Sequence, residues 1–110
     1  MFAVFVNCKP QLLQDPAISF NVIPATILDA ISGVTAKEYG PDSISVKITE
    51  AGPRDIMKGD IDIVVLCPNL GRNLIQLLKL GLARTFRGMC GKRAMGTVKV
   101  YAADSDGVHF

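Results

Sequence analysis

The chain has 110 residues, a length that suits one domain, so residues 1–110 are expected to form a single α/β unit. Apolar residues make up 49% of the chain and charged residues 20%, and no apolar run reaches the ~20 residues that a membrane span requires. The net charge is only +2, and three unpatterned cysteines with a single terminal histidine argue against a metal site or other cofactor. The start "MFAVFVNCK" lacks the features of a signal peptide, which favours a soluble cytoplasmic protein with no membrane partner.

The first half of the chain predicts two strands around one helix. "FAVFV" (Phe2–Val6) is apolar throughout, as in a strand that is buried on both faces. A helix is expected to begin near Pro24 and to end before Gly40-Pro41, because apolar residues then recur at helical spacing: Ile23, Ile27, Ile31 and Val34. "SISVKIT" (43–49) alternates apolar and polar residues, which predicts a half-exposed edge strand. "GPRDIMKG" after it predicts a short helical turn.

The second half continues the alternation of strands and helices. "IDIVVLC" (Ile61–Cys67) predicts a second buried strand. A helix beginning near Leu70 and ending at Gly88 is then predicted from one apolar stripe, which comprises Leu70, Leu74, Leu77, Leu78, Leu82 and Phe86. The basic loop "GMCGKRAMG" leads to a last strand, "TVKVYAA".

This alternation predicts a small three-layer α/β fold, flavodoxin-like or Rossmann-like. Strands separated by helices favour a four-stranded parallel sheet, and the two fully apolar strands are expected at its centre. No full helix follows the last strand, so one sheet face is expected to be thinly covered. The chain is therefore predicted to form a homo-oligomer.

The cysteines at the ends of the two central strands are candidate reactive groups. Cys8 has Lys9 beside it, and a nearby ammonium lowers the pKa of a thiol; the alternative is a small buried apolar side chain. Cys67 occupies the matching position on the third strand, so the two thiols are expected to be neighbours. Cys90 lies in the glycine-rich loop and is expected to be exposed.

The junction after the third strand is the main candidate ligand site. Asn69 is a suitable N-cap for the following helix, and Gly71 and Arg72 fall in its first turn, where free N–H groups favour an anion. If the two central strands are adjacent and parallel, Cys8, Cys67, Asn69 and Arg72 converge at one end of the sheet. An anion is therefore predicted at the start of this helix.

A long basic segment provides a second candidate surface. No acidic residue occurs between Asp62 and Asp104, whereas this stretch contains seven cations: Arg72, Lys79, Arg84, Arg87, Lys92, Arg93 and Lys99. Such a segment indicates an anionic partner, which could be phosphate, nucleic acid or an acidic protein surface. The alternative is that the cations form a solvated helix face without a partner. Base stacking by aromatic side chains has little support in this segment.

The order of these elements resembles the IIB component of sugar phosphotransferase systems. The resemblance rests on the strand closed by Cys8, on "SISVKI", on "DIDIVVLCPNL" and on the final "VKVYAADSDG". It implies a four-stranded parallel domain in which the cysteine ending the first strand, here Cys8, carries a phosphoryl group received from a carrier protein. The sequence departs from that family after Cys8, because "KPQLL" stands where the family has a phosphate-binding loop of small residues.

The sequence thus favours a non-enzymatic α/β domain that binds an anionic ligand or a protein partner as an oligomer. The alternatives are a IIB-type phosphotransferase with a phosphocysteine at Cys8 and a nucleic-acid-binding domain that uses residues 72–99. The single histidine lies at the C-terminal end of the chain, so a Ser/His/Asp hydrolase is not expected.

Overall fold

Two β-α-β units follow one another along the chain in the computed structural model, which describes residues 2–16, 18, 20–35, 39, 41–57, 59–91 and 95–102. The first unit comprises strand β1 (Phe2–Cys8), a short helix α1 (Pro10–Leu13), helix α2 (Ile23–Val34) and strand β2 (Ile44–Glu50). The second comprises strand β3 (Ile61–Cys67), helix α3 (Arg72–Cys90) and strand β4 (Gly96–Ala102). The sequence shows no repeat, but the topology of the two units is the same.

The four strands form one mixed sheet in the order β2-β1-β3-β4. The predicted number of strands, the central positions of β1 and β3 and the edge position of β2 are confirmed. The prediction that all strands are parallel is wrong: β1 and β2 are parallel, as are β3 and β4, but β1 and β3 are antiparallel.

The short connection between β2 and β3 explains this antiparallel pairing. It leaves β2 at the sheet end where β1 also ends, since the Ala51 N–H donates to the Cys8 carbonyl at 2.7 Å. It enters β3 at the same end, since the Lys9 N–H donates to the Asp60 carbonyl at 3.0 Å. For β3 to run parallel to β1, the chain would first have to cross back to the other end of the sheet. Such a crossover takes a dozen or more residues, which this connection does not have. The helix predicted for "GPRDIMKG" is not found in its described residues, where Gly52 and Asp55 form a turn.

Both long helices pack on one face of the sheet, and the core lies between the helices and this face. Alternate residues of the central strands are buried there with the apolar stripes of α2 and α3: Phe2, Val4, Val6, Cys8, Ile61, Ile63, Val65, Cys67, Ile23, Ile27, Ile31, Leu78, Leu82, Phe86 and Cys90. The helices also contact each other. The described residues therefore form two layers, not the three that were predicted.

Helix α3 extends further at its C-terminal end than predicted. It continues through Gly88 to Cys90 and ends at Gly91, which has a φ of 59° and donates its N–H to the Arg87 carbonyl. Its buried stripe runs through Leu78, Leu82, Phe86 and Cys90, whereas the predicted member Leu77 is 55% exposed. Helix α2 agrees with its predicted start and buried stripe and ends at Val34.

Candidate functional site at the carboxyl ends of β3 and β4

The antiparallel pairing places the two strand-end cysteines at opposite ends of the sheet. Cys8 lies opposite Ile61, the first residue of β3, whereas Leu66 near the end of β3 lies opposite Ala3. A seven-residue strand is about 20 Å long. Two predictions are therefore wrong: Cys8 and Cys67 are not neighbours, and Cys8 does not converge with Asn69 and Arg72. The two strands are nevertheless adjacent, as predicted.

All three thiols are buried, and burial raises the pKa of each. The pKa of Cys8 rises to about 11, first because of burial and second because of Cys90. The activation expected from Lys9 is not found, and the Lys9 ammonium lies 3.5 Å from the Asp60 carboxylate. Cys90, which was expected to be exposed, is buried because α3 extends far enough to place it one turn beyond Phe86 on the core-facing stripe.

These buried thiols predict a loss of stability at alkaline pH. An unfolded thiol ionises near pH 9.0, but folded Cys8 stays neutral to about pH 11, so the folded state holds the proton more tightly across that interval. The free energy of unfolding is therefore expected to fall as the pH rises from about 9 to about 11. Urea unfolding followed by circular dichroism at a series of pH values measures this fall. Cys8→Ala is expected to have a lower free energy of unfolding than the wild type at neutral pH, but this free energy should fall less as the pH rises over the interval. An equal fall in the two proteins would contradict the raised pKa of Cys8.

The junction between β3 and α3 brings Asn69, Gly71 and Arg72 together on the surface. The Asn69 Oδ1 accepts the Gly71 N–H at 3.2 Å, and Gly71, with a φ of 87°, is the N-cap residue of α3. The predicted N-cap role of Asn69 is therefore wrong: its side chain holds the turn two residues before the helix. Glycine adopts this positive φ without steric strain, which explains why a glycine occupies the position before Arg72.

The start of α3 is electropositive. Its first turn contains no acidic residue, no side chain makes a cap hydrogen bond there, and Arg72 is exposed. The first bond of the helix runs from the Ile75 N–H to the Gly71 carbonyl, so the N–H groups of residues 72–74 point beyond the helix end. A cation at this end is unfavourable for the helix dipole, whereas an anion is favoured. Cys67 ends the preceding strand, but its side chain is 2% exposed.

The other basic side chains that the structure describes do not gather at this junction. Arg84 and Arg87 are exposed along the second half of α3, and the other two predicted members of the basic surface, Lys92 and Arg93, lie outside the described residues. Arg87 borders a cavity of about 700 Å³ between the C-terminal half of α3 and the first residues of β3 and β4. The walls of this cavity are largely apolar and include Ile61, Ile63, Phe86 and Val98.

The sheet face opposite the helices carries exposed apolar side chains, in agreement with the expectation that one sheet face is thinly covered. Phe5, Leu66 and Tyr101 are exposed there. The uninterrupted apolar runs of β1 and β3 predicted strands that are buried on both faces, whereas helices cover only one face in the described residues.

Two kinds of feature are absent from the part of the chain that the structure describes. It contains no group of three His, Cys, Asp or Glu side chains placed to hold a metal ion. Its helices also include none with the length and apolar character to cross a membrane.

Comparison with known proteins defines the fold but no family. The chain matches no protein-family model. No curated protein matches it either. Among solved structures, it is similar to Pt0534 inactivated by 2-oxo-3-pentynoate, with a TM-score of 0.57 and 14% sequence identity over 93% of this chain and 84% of that one. This similarity shows a shared fold.

Proposed function

We propose that this chain is a non-enzymatic cytoplasmic domain that binds a small anion at the start of α3. One observation carries the proposal: a 19-residue helix begins with free N–H groups and an exposed Arg72, with no acidic residue in its first turn. The site lies at the end of the sheet where the parallel strands β3 and β4 both finish, which is where βαβ units commonly bind ligands.

The similar protein Pt0534 gives this proposal a chemical direction. It is inactivated by 2-oxo-3-pentynoate, which is a small carboxylate anion. For the present chain we therefore propose a ligand with a carboxylate or phosphate group. The helix N–H groups and the Arg72 guanidinium would donate to that group. Asn69 keeps the turn in place, because its Oδ1 already accepts the Gly71 N–H.

Removal of the arginine tests this site. Arg72→Ala is expected to weaken binding of pyruvate or inorganic phosphate about tenfold, the equivalent of about 1.4 kcal/mol, because one charge-assisted hydrogen-bonding group is lost. Isothermal titration calorimetry measures the affinity. Thermal unfolding should show no loss of stability, since removing a cation from the positive end of a helix dipole does not destabilise the helix.

Two matched variants serve as controls for this experiment. Arg84→Ala removes an exposed arginine from the middle of the same helix and should leave anion affinity unchanged, as should Arg93→Ala. If either control weakens binding more than Arg72→Ala does, the basic surface and not the start of α3 binds the anion.

The two alternative functions have less support. A phosphocysteine at Cys8 needs an accessible thiolate, whereas Cys8 is buried and its pKa is about 11. Intact-mass measurement after incubation with a phosphorylated carrier protein tests this alternative, and an added phosphate would establish it. Nucleic-acid binding through residues 72–99 lacks a stacking platform on α3, because Phe86, its aromatic residue, is buried.

A further inference from the structure

We infer that the cavity between the C-terminal half of α3 and the sheet binds a small molecule with an apolar body and one carboxylate group. Its volume of about 700 Å³ falls within the range of roughly 300–1,000 Å³ that is typical of small-molecule sites. Arg87 at its border lies about 22 Å along α3 from Arg72, because a helix rises ~1.5 Å per residue. This inference therefore concerns a different site from the proposed anion site and does not depend on it.

The cavity exists because several residues that border it have little or no side chain. Ala83 on α3 has only a methyl group, and Gly91 and Gly96 have no side chain. Gly96 pairs with Ile61 across the sheet, and a Cβ at Gly96 would lie 2.7 Å from the Ile61 carbonyl oxygen. The close approach of β3 and β4 thus requires a glycine at this position, and α3 does not fill the space that remains.

The walls of the cavity suit the apolar part of a ligand. Ile61, Ile63 and Val98 line it from the sheet, and Phe86 lines it from α3. The side chains of Ile61, Ile63 and Phe86 belong to the core, so a ligand in the cavity would extend the core packing. Water finds few hydrogen-bonding partners against such walls, whereas an apolar chain that leaves water is stabilised by contact with them.

Arg87 gives the cavity a preference for an anion. It is exposed at the border and forms no ion pair within the described residues, and the described lining of the cavity includes no acidic residue. Asp60, which precedes Ile61, already contacts the Lys9 ammonium at 3.5 Å and accepts the Met95 N–H at 3.0 Å. The Arg87 guanidinium can therefore donate two parallel hydrogen bonds to the carboxylate of a ligand, a geometry that arginine favours.

Titration with octanoate and with octanol tests this inference. The two compounds have apolar chains of the same length, but only octanoate has a carboxylate. NMR of protein with ¹³C-labelled methyl groups measures both the affinity and the position of the bound compound. Saturable shifts are expected at the methyl groups of Ile61, Ile63 and Val98, which a carboxylate bound only at the start of α3 would not shift.

Two variants separate the role of the cation from that of the apolar space. Arg87→Ala is expected to weaken octanoate binding about tenfold, because the carboxylate loses its charged partner, and to leave octanol binding unchanged. Ala83→Phe places a ring in the cavity and should abolish saturable binding of both compounds. Arg87 is exposed, so Arg87→Ala should remain folded, and circular dichroism checks the fold of both variants.

Arg84→Ala is the matched control, because Arg84 is exposed on the same helix but is not among the described residues that line the cavity. It should leave the affinity for octanoate unchanged. The absence of saturable methyl shifts in the wild type would overturn the inference, as would an octanoate affinity that Arg87→Ala and Arg84→Ala change equally. Octanoate shifts confined to the amides of Gly71 and Arg72 would also overturn it and would leave only the site at the start of α3.

Discussion

Leu82→Ala is expected to lower the free energy of unfolding by about 2–5 kcal/mol, because the leucine is fully buried and its truncation leaves a cavity between α3 and the sheet. Leu80→Ala is the matched control on the same helix. Leu80 is 52% exposed, so its truncation should change stability by about 0.5 kcal/mol or less. Urea unfolding of the two variants measures the difference. Similar losses for both would mean that α3 presents a different face to the sheet.

Gly96→Ala is expected to cost about 1–3 kcal/mol, because the β3–β4 pairing leaves no room for a side chain. A Cβ at Gly96 would lie 2.7 Å from the Ile61 carbonyl oxygen, a backbone atom of the adjacent strand. The strands would have to move apart and weaken their hydrogen bonds. Thermal or urea unfolding measures the loss.

The same substitution in α3 provides the control for Gly96. A Cβ at Gly81 meets no atom within 4 Å, and alanine is favoured over glycine in a helix by about 1 kcal/mol. Gly81→Ala is therefore expected to stabilise the protein. If Gly96→Ala were as stable as the wild type, or stabilised the protein as Gly81→Ala does, the close approach of β4 to β3 at Gly96 would be contradicted.

Much of the fold could be predicted from apolar patterns, but the direction of β3 could not. Both central strands and both long helices were identifiable because burial imposes a period on the sequence. The side-chain period of a strand is two residues whether its neighbour is parallel or antiparallel, so the pattern carries no information on direction. The length of the segment between β2 and β3 did carry this information, since it is too short for a crossover. It was overlooked because "GPRDIMKG" was interpreted as a helical turn, whereas Gly52 and Asp55 form a turn.

The candidate site was predictable only where its residues are close in sequence. Asn69, Gly71 and Arg72 lie together because they follow one strand, whatever the topology of the sheet. The inclusion of Cys8 depended on the direction of β3 and failed with it. The burial of Cys90 was missed because Gly88 was interpreted as the end of the helix, whereas α3 continues to Cys90.

The location of a bound anion tests the central claim most directly. Backbone amide chemical shifts are followed by NMR while ¹⁵N-labelled protein is titrated with pyruvate, and then with phosphate. We expect saturable shifts at Gly71, Arg72 and the two residues that follow them. Shifts concentrated instead at Lys9 and Asp60, at the opposite end of the sheet, would contradict the claim, as would the absence of any saturable shift at the start of α3.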